Sequence, residues 1–227
     1  EVNMWQAFVA ILVRDITVLS RYRSAWLQPL VFALVVVSLF ALALSGQPSV
    51  LKAAAPAILW TLVMLAVLLS VASLFRDDVD DGSLEQYLLA PQSLYFTAMA
   101  KIIAHWLVSC TPLILASPLL VVMLGLPVAL SLPVMLALVL GTGTLSCFGA
   151  IGAALSAGVG GSGLLVSILI LPLYVPVVIF GAHYLQLSID GWPVLAATAL
   201  LASMFVAAMT LSPLAVAMGL RVANESS

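Results

Sequence analysis

Between Lys101 and Asp190 the chain carries no charge: residues 102–189 contain no Asp, Glu, Lys or Arg. A soluble domain is roughly one-quarter charged residues. A folded chain of this length still exposes a quarter or more of its potential surface to solvent. A stretch this long with nothing to offer water has lipid for its solvent. Residues 24–51, 53–75 and 191–220 are equally free of charge, and over the whole chain 64% of residues are hydrophobic and 7% charged.

A helix crosses the hydrocarbon layer in about 20 residues, so residues 102–189 hold three crossings. Turn-forming clusters divide this run at Gly125–Pro133 and at Gly158–Gly163. The expected spans are 26–45, 54–75, 100–124, 134–156, 164–182 and 194–219, six in all. Ahead of them, residues 1–23 place Trp5, Phe8, Val9, Leu12, Ile16 and Leu19 on one helical face, with Gln6, Arg14, Thr17 and Arg21 elsewhere. That pattern predicts a helix lying in the membrane interface, with Arg21 and Arg23 at the headgroups. A cleavable leader is not expected, because Arg14 and Asp15 interrupt the apolar pattern and no small-residue cleavage site follows.

Basic residues orient the chain. With the N-terminus inside, Arg14, Arg21, Arg23, Arg76, Lys101 and Arg221 are cytoplasmic and only Lys52 is outside. Both termini, including the tail 222–227, are then cytoplasmic. The fourth span is rich in small residues, among them Gly141, Gly143, Gly149 and Gly152, which let helices approach closely. Pro112 and Pro118 in the third span and Pro172 and Pro176 in the fifth bend their helices.

Several chemistries are excluded. A net charge of −2 gives no footing for nucleic acid. Cys110 and Cys147 lie in separate apolar segments without metal-type or redox spacing, so free thiols and no metal site are expected. Gly158, Gly160 and Gly163 match G-x-G-x-x-G, but no strand precedes them and both flanks are spans. Ser162 and His183 bracket the fifth span at about 32 Å along a helix, too far for a Ser–His nucleophile. No phosphate-binding loop of the G-x-x-x-x-G-K-[ST] kind occurs, so the chain is not itself expected to hydrolyse ATP.

The most informative segment is 76–93, with Phe75–Pro91 reading FRDDVDDGSLEQYLLAP. Asp77, Asp78, Asp80 and Asp81 follow the second span directly, and Gly82 breaks the chain. Ser83 and Gln86 then form a capping box, with Glu85 suited to the first turn. The resulting helix is too short to be stable alone. Its apolar face (Leu84, Tyr87, Leu88) has nothing in the loop to cover it. A groove on a cytoplasmic partner answers both problems, so this reads as a docking helix, with a helix lying on the membrane surface as the alternative. Calcium binding is excluded, since an EF-hand alignment on Gly82 puts Val79 and Leu88 at ligand positions.

Ionisable residues inside spans are functional candidates. Lys101, His105 and Trp106 cluster near the cytoplasmic end of the third span. For His105, contact with substrate or a partner subunit and a bond to a neighbouring backbone group are both open. His183, near the outer surface, reads as a solvated interface residue ahead of a haem ligand. The spans otherwise lack mid-membrane carboxylates or guanidinium groups of the kind that couple transport to ions, so energy is expected to enter from outside the membrane.

The segment DDGSLEQYLLAP resembles the coupling helix of type-2 ABC exporter permeases. Together with KIIAHWLVSCTPLILASPL, SILILPLYVPVVIFGA and the LSP at Ser212, nearly the whole chain, from Trp5 to Arg221, is similar to the CcmB family, the haem exporter B subunits of cytochrome c maturation. The resemblance implies a six-helix permease paired with an ATP-binding subunit, with two copies of each. It also implies a haem-handling membrane subunit, a small single-span subunit and a periplasmic haem chaperone, all in the bacterial inner membrane system. ATP and Mg would be bound by the partner, and haem would be handled by the complex with no cofactor held by this chain. Asp81, Gly82, Ser83, Leu84 and Glu85 would fit the ATPase groove, and Lys101, His105 and Trp106 match the family's K-x-x-x-H-W pattern. The loop GVGGSG lacks the basic residues the family pattern would lead one to expect. The rival readings are an exporter of another hydrophobic molecule and a non-transporting scaffold that remodels partner subunits.

Overall fold

The computed structural model describes residues 4–75, 78, 82, 93–157 and 163–225. These form seven long helices: α1 (Met4–Arg21), α2 (Arg23–Ala43), α3 (Pro48–Val71), α4 (Leu94–Met123), α5 (Ser131–Ser156), α6 (Gly163–Asp190) and α7 (Leu195–Glu225). No strand occurs among the described residues. The six helices after α1 are long and apolar enough to cross a membrane. In hydrocarbon every backbone group must find its partner within the protein, which a helix achieves by itself.

Small residues decide which span sits at the centre. Helix α5 packs against α3, α4, α6 and α7. It is buried at Gly141, Thr142, Gly143, Ser146, Gly149, Ala150, Gly152 and Ala153. Where a side chain is only a hydrogen or a methyl, neighbouring helices move in and dispersion contacts multiply. Trp60 of α3, 1% exposed, lies against both Gly141 of α5 and Gly181 of α6, and Phe205 of α7 lies against Gly143. Helix α6 turns Ile170, Tyr174, Val177, Gly181 and Tyr184 inward at three- to four-residue spacing, while Pro172 and Pro176 face outward. Its prolines therefore lie on the exposed side of the helix and line no space inside the chain.

Helix ends follow turn chemistry more closely than hydropathy. Helix α6 runs past the apolar stretch to Asp190, where Gln186 Nε2 donates to both Asp190 carboxylate oxygens at 3.1 and 3.0 Å. Gly191 then adopts φ +73° and the Trp192 amide caps the Leu187 carbonyl at 2.9 Å. Gly125 closes α4 in the same way, at φ +71°, with the Leu126 amide on the Val121 carbonyl. Only glycine enters this left-handed region without strain.

Helix α1 packs mainly on α4. Ala7, Phe8, Ile11, Leu12, Asp15, Ile16 and Leu19 form the partly or fully buried side, while Trp5, Val9 and Val13 remain exposed. Its apolar arc is thus only partly covered by the bundle.

Candidate functional site

At the end of the bundle where α3 finishes and α4 begins, three charges meet. Lys101 Nζ lies 2.7 Å from Asp78 Oδ2 and 3.2 Å from Asp15 Oδ2. The three side chains are only 8%, 9% and 11% exposed for Lys101, Asp78 and Asp15. Isolated charges are not buried at this depth, because desolvation costs several kcal/mol per ion, and pairing repays that only in good geometry. Burial pushes the Asp15 carboxyl above its ordinary range, and the Lys101 ammonium partly opposes that rise. Each member comes from a different part of the chain: Asp15 from α1, Asp78 from just beyond α3, and Lys101 from α4.

One turn further along α4, His105 Nε2 is 2.9 Å from Ser70 Oγ of α3. The Ser70 hydroxyl also reaches the Val67 carbonyl at 2.9 Å, and when its proton goes there the bond to His105 runs from Nε2–H to the hydroxyl oxygen. Nδ1 is buried without a partner among the described residues, which favours its carrying the lone pair rather than a proton.

The helix next widens into a π turn at Trp106–Cys110. Pro112 has no N–H to donate to the carbonyl four residues back, and the ladder shifts register there. The shifted turn presents Trp106 and Cys110 to α5 one turn apart, matching Thr142 and Ser146 at the same interval. Trp106 Nε1 donates to Thr142 Oγ1 at 3.1 Å, and Cys110 Sγ lies 3.5 Å from Ser146 Oγ. Trp106 also packs on Phe205 of α7, with ring centroids 5.8 Å apart. The third span is therefore stitched to α1, α3, α5 and α7 by polar or aromatic contacts within about three turns.

Of the residues selected from the sequence, Lys101, His105 and Trp106 stand together on α4, and each is engaged inside the chain. Asp78 turns its carboxylate inward onto Lys101, and Gly82 is exposed at φ +72°. Asp77, Asp80, Asp81, Ser83, Leu84, Glu85, Gln86, Tyr87 and Leu88 lie outside the described residues. His183 is exposed on α6. Sequence reasoning missed Asp15, Ser70 and Thr142 as partners. For Asp15 a signal existed, because it is a carboxylate among Ile11, Leu12 and Ile16 on the bundle-facing edge of an amphipathic helix. No group of three or more His, Cys, Asp or Glu capable of holding a metal occurs among the described residues.

Comparison with known proteins places these features in a family context. A family model described as CcmB protein matches residues 6–223. The chain is 44% identical over 219 residues to the heme exporter protein B of Haemophilus influenzae, covering 96% of this chain and 99% of that protein. The Pseudomonas aeruginosa protein of the same name is also 44% identical over 219 residues, covering 96% and 98%. The Paracoccus denitrificans heme exporter protein B is 38% identical over 213 residues, covering 94% and 98%.

Proposed function

The chain belongs to the CcmB protein family, and from that premise we propose that it is the membrane permease subunit of an ABC-type complex for cytochrome c maturation. The observation that carries this reading is similarity that takes in all six apolar helices and covers 96% of this chain and 99% of the Haemophilus influenzae protein. The subunit is a non-catalytic transport component of the haem export system. ATP with Mg is hydrolysed by a separate ATP-binding subunit, two copies of which dock on two copies of this chain. A haem-handling membrane subunit, a small single-span subunit and the periplasmic haem chaperone complete the assembly. Haem is its cargo. The complex sits in the bacterial inner membrane with both termini of this chain cytoplasmic.

In this mechanism the ATPase groove takes the segment 76–93. Leu84, Tyr87 and Leu88 are its anchor, and Asp77, Asp80 and Asp81 provide charge complementarity, while Asp78, read from the sequence as part of the same charge cluster, is engaged with Lys101. Gly82, Ser83, Glu85 and Gln86 start the helix that carries them. Nucleotide binding draws the two ATPase subunits together, and the rigid docking helices pass that motion to the spans. Its output is haem export or release of the haem-loaded chaperone.

The test is a haem stain of c-type cytochromes in cells lacking this chain, with and without re-expression. Loss of c-type haem proteins with b-type proteins spared, restored on re-expression, supports the assignment; unchanged c-type cytochromes overturn it. Leu88→Asp tests the docking anchor separately: the ATPase is expected to be lost from the purified complex, and undiminished co-purification refutes that anchor.

A further inference from the structure

The Lys101 triad joins two parts of the chain that the proposed mechanism has not yet connected. Asp78 stands at the root of the segment assigned to ATPase docking, and Asp15 stands on α1. The ammonium of Lys101 bridges them at 2.7 and 3.2 Å. Phe75, Leu94, Ala98 and Ile102, close in sequence to Asp78 and Lys101, belong to one buried apolar cluster and are all 5% exposed or less, while Arg14 adds a further charge acting on Asp15. In such surroundings an ionic contact transmits displacement stiffly, because separating buried opposite charges is far more costly than sliding one apolar side chain past another.

A buried ion triad is also a poor choice for stability alone. Well-packed apolar residues of similar volume do as well or better. Its physical merit is that it fixes one relative arrangement of three segments. Helix α1 also turns Phe8, Ile11, Leu12, Ile16 and Leu19 toward the bundle, contacts that lack the directionality of an ion pair. Asp15 adds a contact that pins its register.

From this arrangement we infer that Asp15, through Lys101, is a positioning residue for energy coupling: it makes interfacial helix α1 move as one body with α4 and the root of the ATPase-docking segment. The ATPase stroke then reaches the membrane interface as well as the spans. This inference rests on the docking reading above.

The experiment uses the complete complex purified in lipid nanodiscs, with Asp15→Ala and Asp15→Glu beside wild type. Spin labels are placed at Val18 on α1 and Leu107 on α4, both exposed. In wild type the label distance is expected to stay narrow with and without ATP. In Asp15→Ala it broadens once ATP is added, while the ATPase still co-purifies and hydrolyses ATP. Holocytochrome yield falls by roughly tenfold or more, the scale of a typical coupling free energy. Asp15→Glu, which keeps the carboxylate, restores both the narrow distance and the yield. A wild-type yield and an ATP-insensitive distance in Asp15→Ala, at normal membrane levels of the chain, overturn the inference. If instead wild type itself fails to retain the ATPase, the docking reading falls first and the inference falls with it.

Discussion

The indole of Trp60 occupies the space that a Cβ on Gly141 would need. The same ring closes on Gly181 from the other side, so one side chain of α3 keys α5 and α6 together. The ring is rigid and 1% exposed, so it has no room to retreat. Gly141→Ala and Gly181→Ala are each expected to destabilise the bundle by about 1–3 kcal/mol, the usual penalty for overpacking a core. Gly46→Ala is the control, since a Cβ there meets nothing within 4 Å. Thermal unfolding in detergent separates the three; equal midpoints would refute this packing.

Removing the members of the ion triad should have unequal effects. Asp15→Ala removes one of the two carboxylates on Lys101 and leaves Asp78 still paired with it. Its cost is expected to be small, because the desolvation penalty of Asp15 disappears together with its attraction to Lys101, and Asp78 still pairs the ammonium. Lys101→Met leaves two buried carboxylates facing each other, and about 3–5 kcal/mol is expected. Detergent unfolding midpoints of the two variants give the comparison. An Asp15→Ala variant that is the less stable of the two would contradict the arrangement.

Asp15 also makes stability depend on pH. Burial raises its carboxyl pKa in the folded chain, with Lys101, Asp78 and Arg14 as the charged groups acting on it. A group whose folded pKa is raised favours the fold most when protonated. Its contribution is fully present below the ordinary carboxylate value of 3.8 and is lost as pH rises through the higher folded value. The stability advantage of wild type over Asp15→Ala is therefore expected to shrink as pH rises across that window. A difference that grows with pH would reverse the sign of the effect.

His105 should be held as the Nε2–H tautomer. The chain has two histidines, so nitrogen-15 spectra of histidine-labelled protein are assigned with one His183→Gln variant. His105 is expected to show a bare Nδ1 and a protonated, slowly exchanging Nε2. His105→Gln keeps a donor near the Nε2 position, whereas His105→Asn does not reach Ser70. The Asn variant is expected to be less stable than the Gln variant by about 1 kcal/mol, the typical net value of one such bond. A spectrum showing protonated Nδ1 would mean that Ser70 is the donor.

Much of this architecture was legible because lipid is an exacting solvent. Charge-free runs announced the spans, and small residues marked α5 as a helix against which others pack. Lys101, His105 and Trp106 were visible as candidates because polar groups are rare in apolar segments. Their partners were not visible. Ser70 and Thr142 look like any hydroxyl in a membrane helix, and Asp15 was seen only as an interruption in an apolar pattern. The reach of α6 to Asp190 was also hidden, because a Gln–Asp side-chain pair and a glycine cap ended the helix after hydropathy had faded.

Sequence by itself determined that this chain lives in a membrane, crosses it six times and starts with an amphipathic helix. Those outcomes follow from local balances of apolar surface and backbone hydrogen bonding, which each segment settles within about 20 residues. Tertiary structure decided which polar groups meet: Lys101 with Asp15 and Asp78, His105 with Ser70, Trp106 with Thr142. Inside lipid all helices are alike in hydrophobicity, so helix partners are chosen by close packing and by the few polar bonds available. Both depend on where segments far apart in the chain come to rest, as Trp60 does between Gly141 and Gly181.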